Sequence, residues 1–182
     1  MHVLDDTPAR RTVAQVESTQ ALRRTYTDLG APRPAHQGAP GKVLLAFADE
    51  ELRQRVLRSR LKAADGSPIS LPEFRQELDR IVEKGYAVSL QERVVGVVAL
   101  AVPVYDHTGS VAAALSISIP AARAGLAELE ALAPVAIEAA KTLSYRLGYG
   151  LRSPDARPSR IPEKRGPLVN ADASARPGSA AP

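Results

Sequence analysis

Val97-Val-Ala-Leu-Ala-Val-Pro-Val-Tyr105, Asp106-His-Thr-Gly109 and Ser110-Val-Ala-Ala-Ala-Leu-Ser-Ile-Ser-Ile119 run consecutively, and their reading decides the fold. Two β-rich runs joined by an Asp/Gly turn form a hairpin, and a hairpin makes an antiparallel sheet. Side chains alternate between the two faces of a strand. In the first run Val98, Leu100, Val102 and Val104 share a bulky face, and Val97, Ala99 and Ala101 share a smaller one. In the second, Val111, Ala113, Leu115, Ile117 and Ile119 oppose Ser110, Ala112, Ala114, Ser116 and Ser118. A four-residue turn pairs Tyr105 with Ser110, which sets Ala99 opposite Ser116 and Val97 opposite Ser118. Bulky then lies beside bulky and small beside small, as a consistent register requires. The bulky face needs helices to cover it. The small face cannot fill space, so it suits a close helix contact or the wall of a cavity. Its hydroxyls at Ser116 and Ser118 suit a small ligand whose carboxylate or carbonyl accepts O–H bonds. Bonds to backbone or solvent would use the same serines.

Outward from the hairpin, Tyr86–Gln91 reads as a further strand. Ser70 and Glu73 have capping-box spacing with Pro72 in the first turn; Phe74, Leu78, Ile81 and Val82 follow at helical spacing, and Gly85 sits at the C-terminal cap. Leu126, Leu129, Ala133, Ala136, Ala140, Leu143 and Leu147 make one apolar stripe of a long final helix. Pro134 should kink that helix or mark its effective start. Gly41–Phe47 and Asp49–Arg58 read as short helices, and 63–70 as a loop. Thr12–Val16 and Ala21–Tyr26 read as strands, with Gly30–Pro34 as a loop between them and the first helix. The order of strands, helices, strands and helix predicts an α+β domain, an antiparallel sheet with helices packed on it, over residues 1–150.

Residues 151–182 differ in kind. They hold six of the fifteen prolines, no aromatic residue, and net charge +3 of the chain's +4. So little apolar area cannot offset the entropy of ordering thirty-odd residues, and a disordered Pro/Arg-rich tail is expected. The remaining charge is too small to give the folded part a DNA-binding face of its own. Cysteine is absent, which excludes disulfides, thiolate nucleophiles and cysteine zinc sites. No apolar run reaches membrane-span length, and no signal-peptide pattern opens the chain, so a cytoplasmic protein without membrane contact is expected.

Four segments resemble the effector-binding domain of IclR-type transcriptional regulators. Ala31-Pro-Arg-Pro-Ala-His-Gln-Gly-Ala-Pro-Gly-Lys-Val-Leu-Leu-Ala-Phe-Ala48 resembles the family's "PAHATALGKALLA". Gly85-Tyr-Ala-Val88, Gly96–Asp106 and Gly109–Pro120 are similar to its "RGYAV", "GVRCIAAPVFD" and "GRVVAALSVSGP". The segments keep family order from about Val13 to Gly148. The resemblance implies a GAF-like fold that senses a small organic acid, carboxylic or aromatic, and works as a homo-oligomer or in a mixed oligomer with a full-length regulator. It implies ligand contacts at Gly41, through backbone amides, at Val97 and Ala99 as pocket walls, and at Ser116 and Ser118 as hydrogen-bonding groups. Ser89 falls where the family often has Asp, a departure that should change which polar groups are recognised. Ile119 replaces the usual Gly before Pro120. The winged helix-turn-helix of such regulators has no counterpart in His2–Thr12, so DNA contact is expected only indirectly, through a partner or a missing domain. A truncated gene, a late start codon and a stand-alone sensor all fit.

Other motifs carry less. Gly38-Ala-Pro-Gly-Lys42 has glycine spacing too short for a phosphate loop, and Val43 stands where Ser or Thr should be. Lys42 reads as a solvated helix charge rather than an ion-pairing residue. His36 reads as structural and His107 as an exposed turn residue, since metal sites need three or four ligands. No nucleophile–base grouping is visible. The expected function is therefore a non-enzymatic sensor without cofactor, controlling transcription by ligand binding and oligomerisation. The alternatives are an enzyme on the same scaffold or a remnant that binds nothing.

Overall fold

The computed structural model describes residues 1–5, 7, 9–23 and 28–151. The expected tail, Leu151 apart, lies outside the described residues. Strands β1 (His2–Leu4), β2 (Ala9–Thr12) and β3 (Arg33–Pro34) precede helices α1 (Ala39–Ala46), α2 (Glu50–Leu57) and α3 (Leu71–Lys84); β4 (Ala87–Leu90), β5 (Val97–Tyr105), β6 (Val111–Pro120) and α4 (Leu126–Arg146) follow. The six strands form one antiparallel sheet in the order β3-β2-β1-β6-β5-β4. None of the described helices is long and apolar enough to cross a membrane.

The two faces of the central hairpin do different work, as alternation predicts. Val98, Leu100, Val102 and Val104 are buried under α4 with Leu129, Ala133, Ala136 and Ala140. On the opposite face Ala87, Ala99, Ala101 and Ala114 pack beneath α1 and α3 with Val43, Leu44, Phe74 and Leu78. Alanines there let α1 approach closely. Every residue of α1 is buried, an arrangement a helix adopts only when it is covered on all sides.

The hairpin register differs from the expected one by two residues: Ala99 faces Ser118, Ala101 faces Ser116, and Val97 faces Pro120. Two single-residue steps make the shift: a five-residue loop pairs Tyr105 with Val111 instead of Ser110, and a bulge at Val104/Tyr105 pairs Val104 with Ala113, leaving Ala112 as the extra residue. A two-residue shift preserves faces, so the small face survives intact from Ala114 onward. Val111 does change sides and joins the cluster under α1.

Several boundaries also move. The strand expected at Thr12–Val16 is instead Ala9–Thr12, paired with a β1 that was not foreseen. Past Thr12 the Val13 and Ala14 N–H groups both turn to the Met1 carbonyl, and regular pairing stops. Of the strand expected at Ala21–Tyr26, the described residues 21–23 belong to no strand, and the rest lie outside the described residues. Arg33–Pro34, within the expected loop, adds a short edge strand. Helix α3 starts and ends where expected, with Gly85 left-handed at its end, but Ser70 makes no side-chain cap bond. Helix α4 begins at Leu126 and runs through Pro134, so the proline does not mark its start.

Candidate functional site

One end of the small face is left uncovered by α1. There a cavity of about 320 Å³ opens, at the lower limit of small-molecule sites. Residues from all six strands reach it. The pairing explains why: His2 lies opposite both Thr12 and Ala114, and Arg10 opposite Arg33, so these side chains share the face of Ser118, Ala99 and Ser89. The N-terminus of α1 supplies the roof through Gly38 and Pro40.

Four expected site residues meet in this cavity: Ser89, Val97, Ala99 and Ser118. Ser89 is 6% exposed, and neither its hydroxyl nor that of Ser118 bonds another described side chain. Gly38 precedes α1 with φ 78°, a conformation that glycine adopts without the steric penalty of a Cβ. A Cβ built there would lie 3.9 Å from Ser89 Oγ, so the roof and the β4 wall nearly touch. The first turn of α1 has no side-chain cap and no acidic residue, so no carboxylate offsets the positive end of its helix dipole.

The other two expected residues sit behind the wall. Gly41 does not line the cavity; a Cβ on it would fall 2.1 Å from the Ala35 carbonyl oxygen, so its glycine permits close packing of α1 on the preceding loop. Ser116 does not line it either: its Oγ lies 2.9 Å from His2 Nε2. His2 Nδ1 is 3.1 Å from Arg10 Nη1 and 3.0 Å from Thr12 Oγ1. A guanidinium only donates, so Nδ1 accepts. The imidazole is thereby neutral, with its proton on Nε2, which donates to Ser116.

Three arginines line the cavity, Arg10, Arg33 and Arg93, and sequence reasoning missed them all. Arg33 pairs with Asp28 at 3.0 Å. Arg10 is 3% exposed. Gln15, also at the wall, has a buried Oε1 without a hydrogen-bond partner among the described residues, an acceptor open to a ligand hydroxyl. The available signal was the alternation of His2 with Leu4 and of Arg10 with Thr12 around Asp5-Asp-Thr-Pro8, a turn composition.

Lys42 is a correction. It is 2% exposed, not solvated, and its Nζ bonds Glu77 and Glu92 at 2.6 Å each. It ties α1 to α3 and to the loop 91–96 that carries Arg93. His36 is structural, as expected, with Nε2 2.9 Å from the Lys62 carbonyl. Among the described residues no three His, Asp or Glu side chains cluster as metal ligands.

The chain has relatives in sequence and in fold. In Dickeya chrysanthemi, the HTH-type transcriptional regulator KdgR is 34% identical over 139 residues, 75% of this chain and 45% of the relative. The HTH-type transcriptional repressor AllR of Escherichia coli K12 is 35% identical over 113 residues, 61% of this chain and 41% of the relative. Among solved structures, the C-terminal domain of Escherichia coli KdgR superposes with a TM-score of 0.64 at 29% identity, covering 81% of this chain and 85% of that one. Thermotoga maritima IclR gives 0.71 at 31% identity, covering 81% and 60%. The chain thus spans about half the length of the curated relatives it matches. Residues 1–145 match the family described as the C-terminal domain of the bacterial transcriptional regulator IclR, and the chain belongs to that family.

Proposed function

We propose that this domain is the effector sensor of an IclR-type regulator and that its effector is a small organic acid. The observation that carries the reading is the cavity itself: hydroxyls of Ser89 and Ser118, small apolar walls at Val97 and Ala99, an uncapped helix N-terminus and arginine side chains converge on one opening. Helix N-terminal amides and arginines both favour anions. Gly41 contributes by letting α1 seat deeply rather than by touching ligand. The described lining offers anion recognition, and the serine–histidine contact beside it, Ser116 with His2, keeps its hydroxyl outside the cavity, which supports binding rather than turnover. Relatives that are transcriptional regulators support the same role in the cytoplasm, with DNA contacted through a further domain or a partner subunit. The family relationship supports an oligomer, of this chain alone or with a full-length regulator.

Thermal unfolding against a panel of carboxylic and aromatic acids tests this. A ligand at 100 times its Kd should add about 2.7 kcal/mol to stability. Ser118→Ala should weaken that ligand by about tenfold while leaving the unliganded Tm unchanged, since this hydroxyl bonds no other described side chain. A cooperative transition that no acid moves would overturn the reading.

A further inference from the structure

We infer that Lys42 and Glu92 are positioning residues of the cavity: neither lines it, yet their ion pair holds its roof and one of its walls in the arrangement that receives ligand. This rests on the effector-sensor reading and adds what keeps that site assembled. Lys42 lies in α1 just beyond the roof residues Gly38 and Pro40. Its backbone N–H donates to the Gly38 carbonyl at 3.2 Å, so Lys42 and the roof belong to one helical turn. An ammonium has three N–H donors, and three acceptors from three other elements surround this one. They are Glu77 of α3 and Glu92 of the loop 91–96, at 2.6 Å each, and the Val88 carbonyl of β4 at 3.4 Å. Val88 adjoins Ser89 of the cavity wall, and Glu92 adjoins Arg93 and Val94, which line the same cavity. One side chain, itself 2% exposed, thus ties the roof to two walls.

The two glutamates are matched in distance and in exposure, 36% and 37%, but not in what else supports them. Helix α3 is also held to α1 through the core, where Phe74 and Leu78 pack with Val43 and Leu44. The loop 91–96 gains no such support from its valines, since Val94 is 37% and Val95 88% exposed. Its base is closed on itself: Gln91 Oε1 accepts from the Gly96 N–H at 2.8 Å, and the Val97 N–H donates to the Val94 carbonyl at 3.1 Å. Glu92 joins that loop to α1. Loss of Glu77 therefore leaves α1 in place, whereas loss of Glu92 frees a cavity wall that ligand must then order at an entropic cost.

Glu92→Gln and Glu77→Gln in the full chain test the inference. The two variants should unfold at similar temperatures. Without ligand, amide hydrogen exchange at Gly96 and Val97 should be about tenfold faster in Glu92→Gln and near wild type in Glu77→Gln. Calorimetric titration with propionate, glutarate and benzoate gives the second readout. Whichever of these acids binds the wild-type chain should bind Glu92→Gln about tenfold more weakly and Glu77→Gln about as well as wild type. A role in stability alone would move the two variants together. Equal exchange in the two variants overturns the inference and leaves the sensor reading standing, and so does unchanged affinity in Glu92→Gln. Failure of all three acids to bind overturns the acid-sensor reading alone, because exchange decides the tie between Lys42 and the loop without ligand.

Discussion

At the scale of single residues, two positions in α1 show how much depends on contacts that leave no sequence signal of their own. Gly41 is set against the Ala35 carbonyl, and a methyl group there would sit 2.1 Å from the oxygen. That is far inside contact distance and the obstacle is backbone, so relief requires α1 to move. Gly41→Ala should cost about 3 kcal/mol, despite alanine's better helix propensity, and chemical denaturation should show a lower midpoint with unchanged slope. Lys42 is held between Glu77 and Glu92, which are 36% and 37% exposed. Removing the cation would leave two carboxylates facing each other, yet water screens both. Lys42→Met should therefore cost about 2 kcal/mol, less than the loss of a fully buried partner. Adding Glu77→Gln and Glu92→Gln to that variant should recover much of the loss. If the triple variant is as unstable as Lys42→Met alone, packing of the lysine stem rather than its charge explains the cost.

Among the elements, the β5–β6 hairpin is pinned at its turn. The Thr108 hydroxyl donates to the Asp106 carboxylate at 2.6 Å, and Thr108 N–H and Ser110 N–H add to it. These bonds, the Thr108 hydroxyl foremost, hold the Asp106 carboxyl below its ordinary range against the opposing effect of burial. A carboxylate with a depressed folded-state pKa stabilises fully above the unfolded value of about 3.9, and that contribution is lost as pH falls through the folded value. Asp106→Asn should accordingly be less stable than wild type at neutral pH, by under about 1 kcal/mol given the screening at this accessible turn. The two proteins should converge in Tm as pH drops below about 4; a gap that persists at pH 2 would assign the difference to geometry instead of charge. The five-residue loop and the bulge next to it each displaced the expected register by one residue. Four-residue loops and bulged five-residue loops share the same Asp/Gly composition, so turn chemistry could locate the hairpin without fixing its pairing.

At the scale of the whole molecule, a sheet that carries helices on both faces still leaves apolar side chains at the surface. Val95 is 88% exposed and Val135 67%, and Tyr145 and Leu126 are also exposed on α4. The oligomer proposed above would cover some of them. Sedimentation equilibrium should give a mass at least twice the chain's 19.3 kDa, and a monomer at micromolar concentration would argue against the proposed homo-oligomer. The arrangement of the fold was legible from periodicity wherever a long segment faced one neighbour along its whole length. The hairpin faces, α3 with its glycine end, and the α4 stripe are of that kind. β1, β2 and β3 were not legible, because strands of three, four and two residues carry too few alternations to rise above chance.

Local pattern by itself determined the small and bulky faces of the central strands, the helices that cover them, and the presence of Ser118, Ala99 and Val97 on one wall, which Ser89 joined through the family resemblance. Each of these follows from residues near one another in the chain, where alternation is strict. Only tertiary structure decided that Arg10 enters the same cavity, that His2 takes Ser116 out of it, that Gly41 packs on a loop, and that Lys42 is buried between two glutamates. Those outcomes depend on pairing across large sequence separations: Ser116 is 114 residues from His2, and Glu92 is 50 from Lys42. A charge on a short strand or helix reads as solvated until its distant partners are in place, because burial is a property of what covers a residue and not of the residue itself.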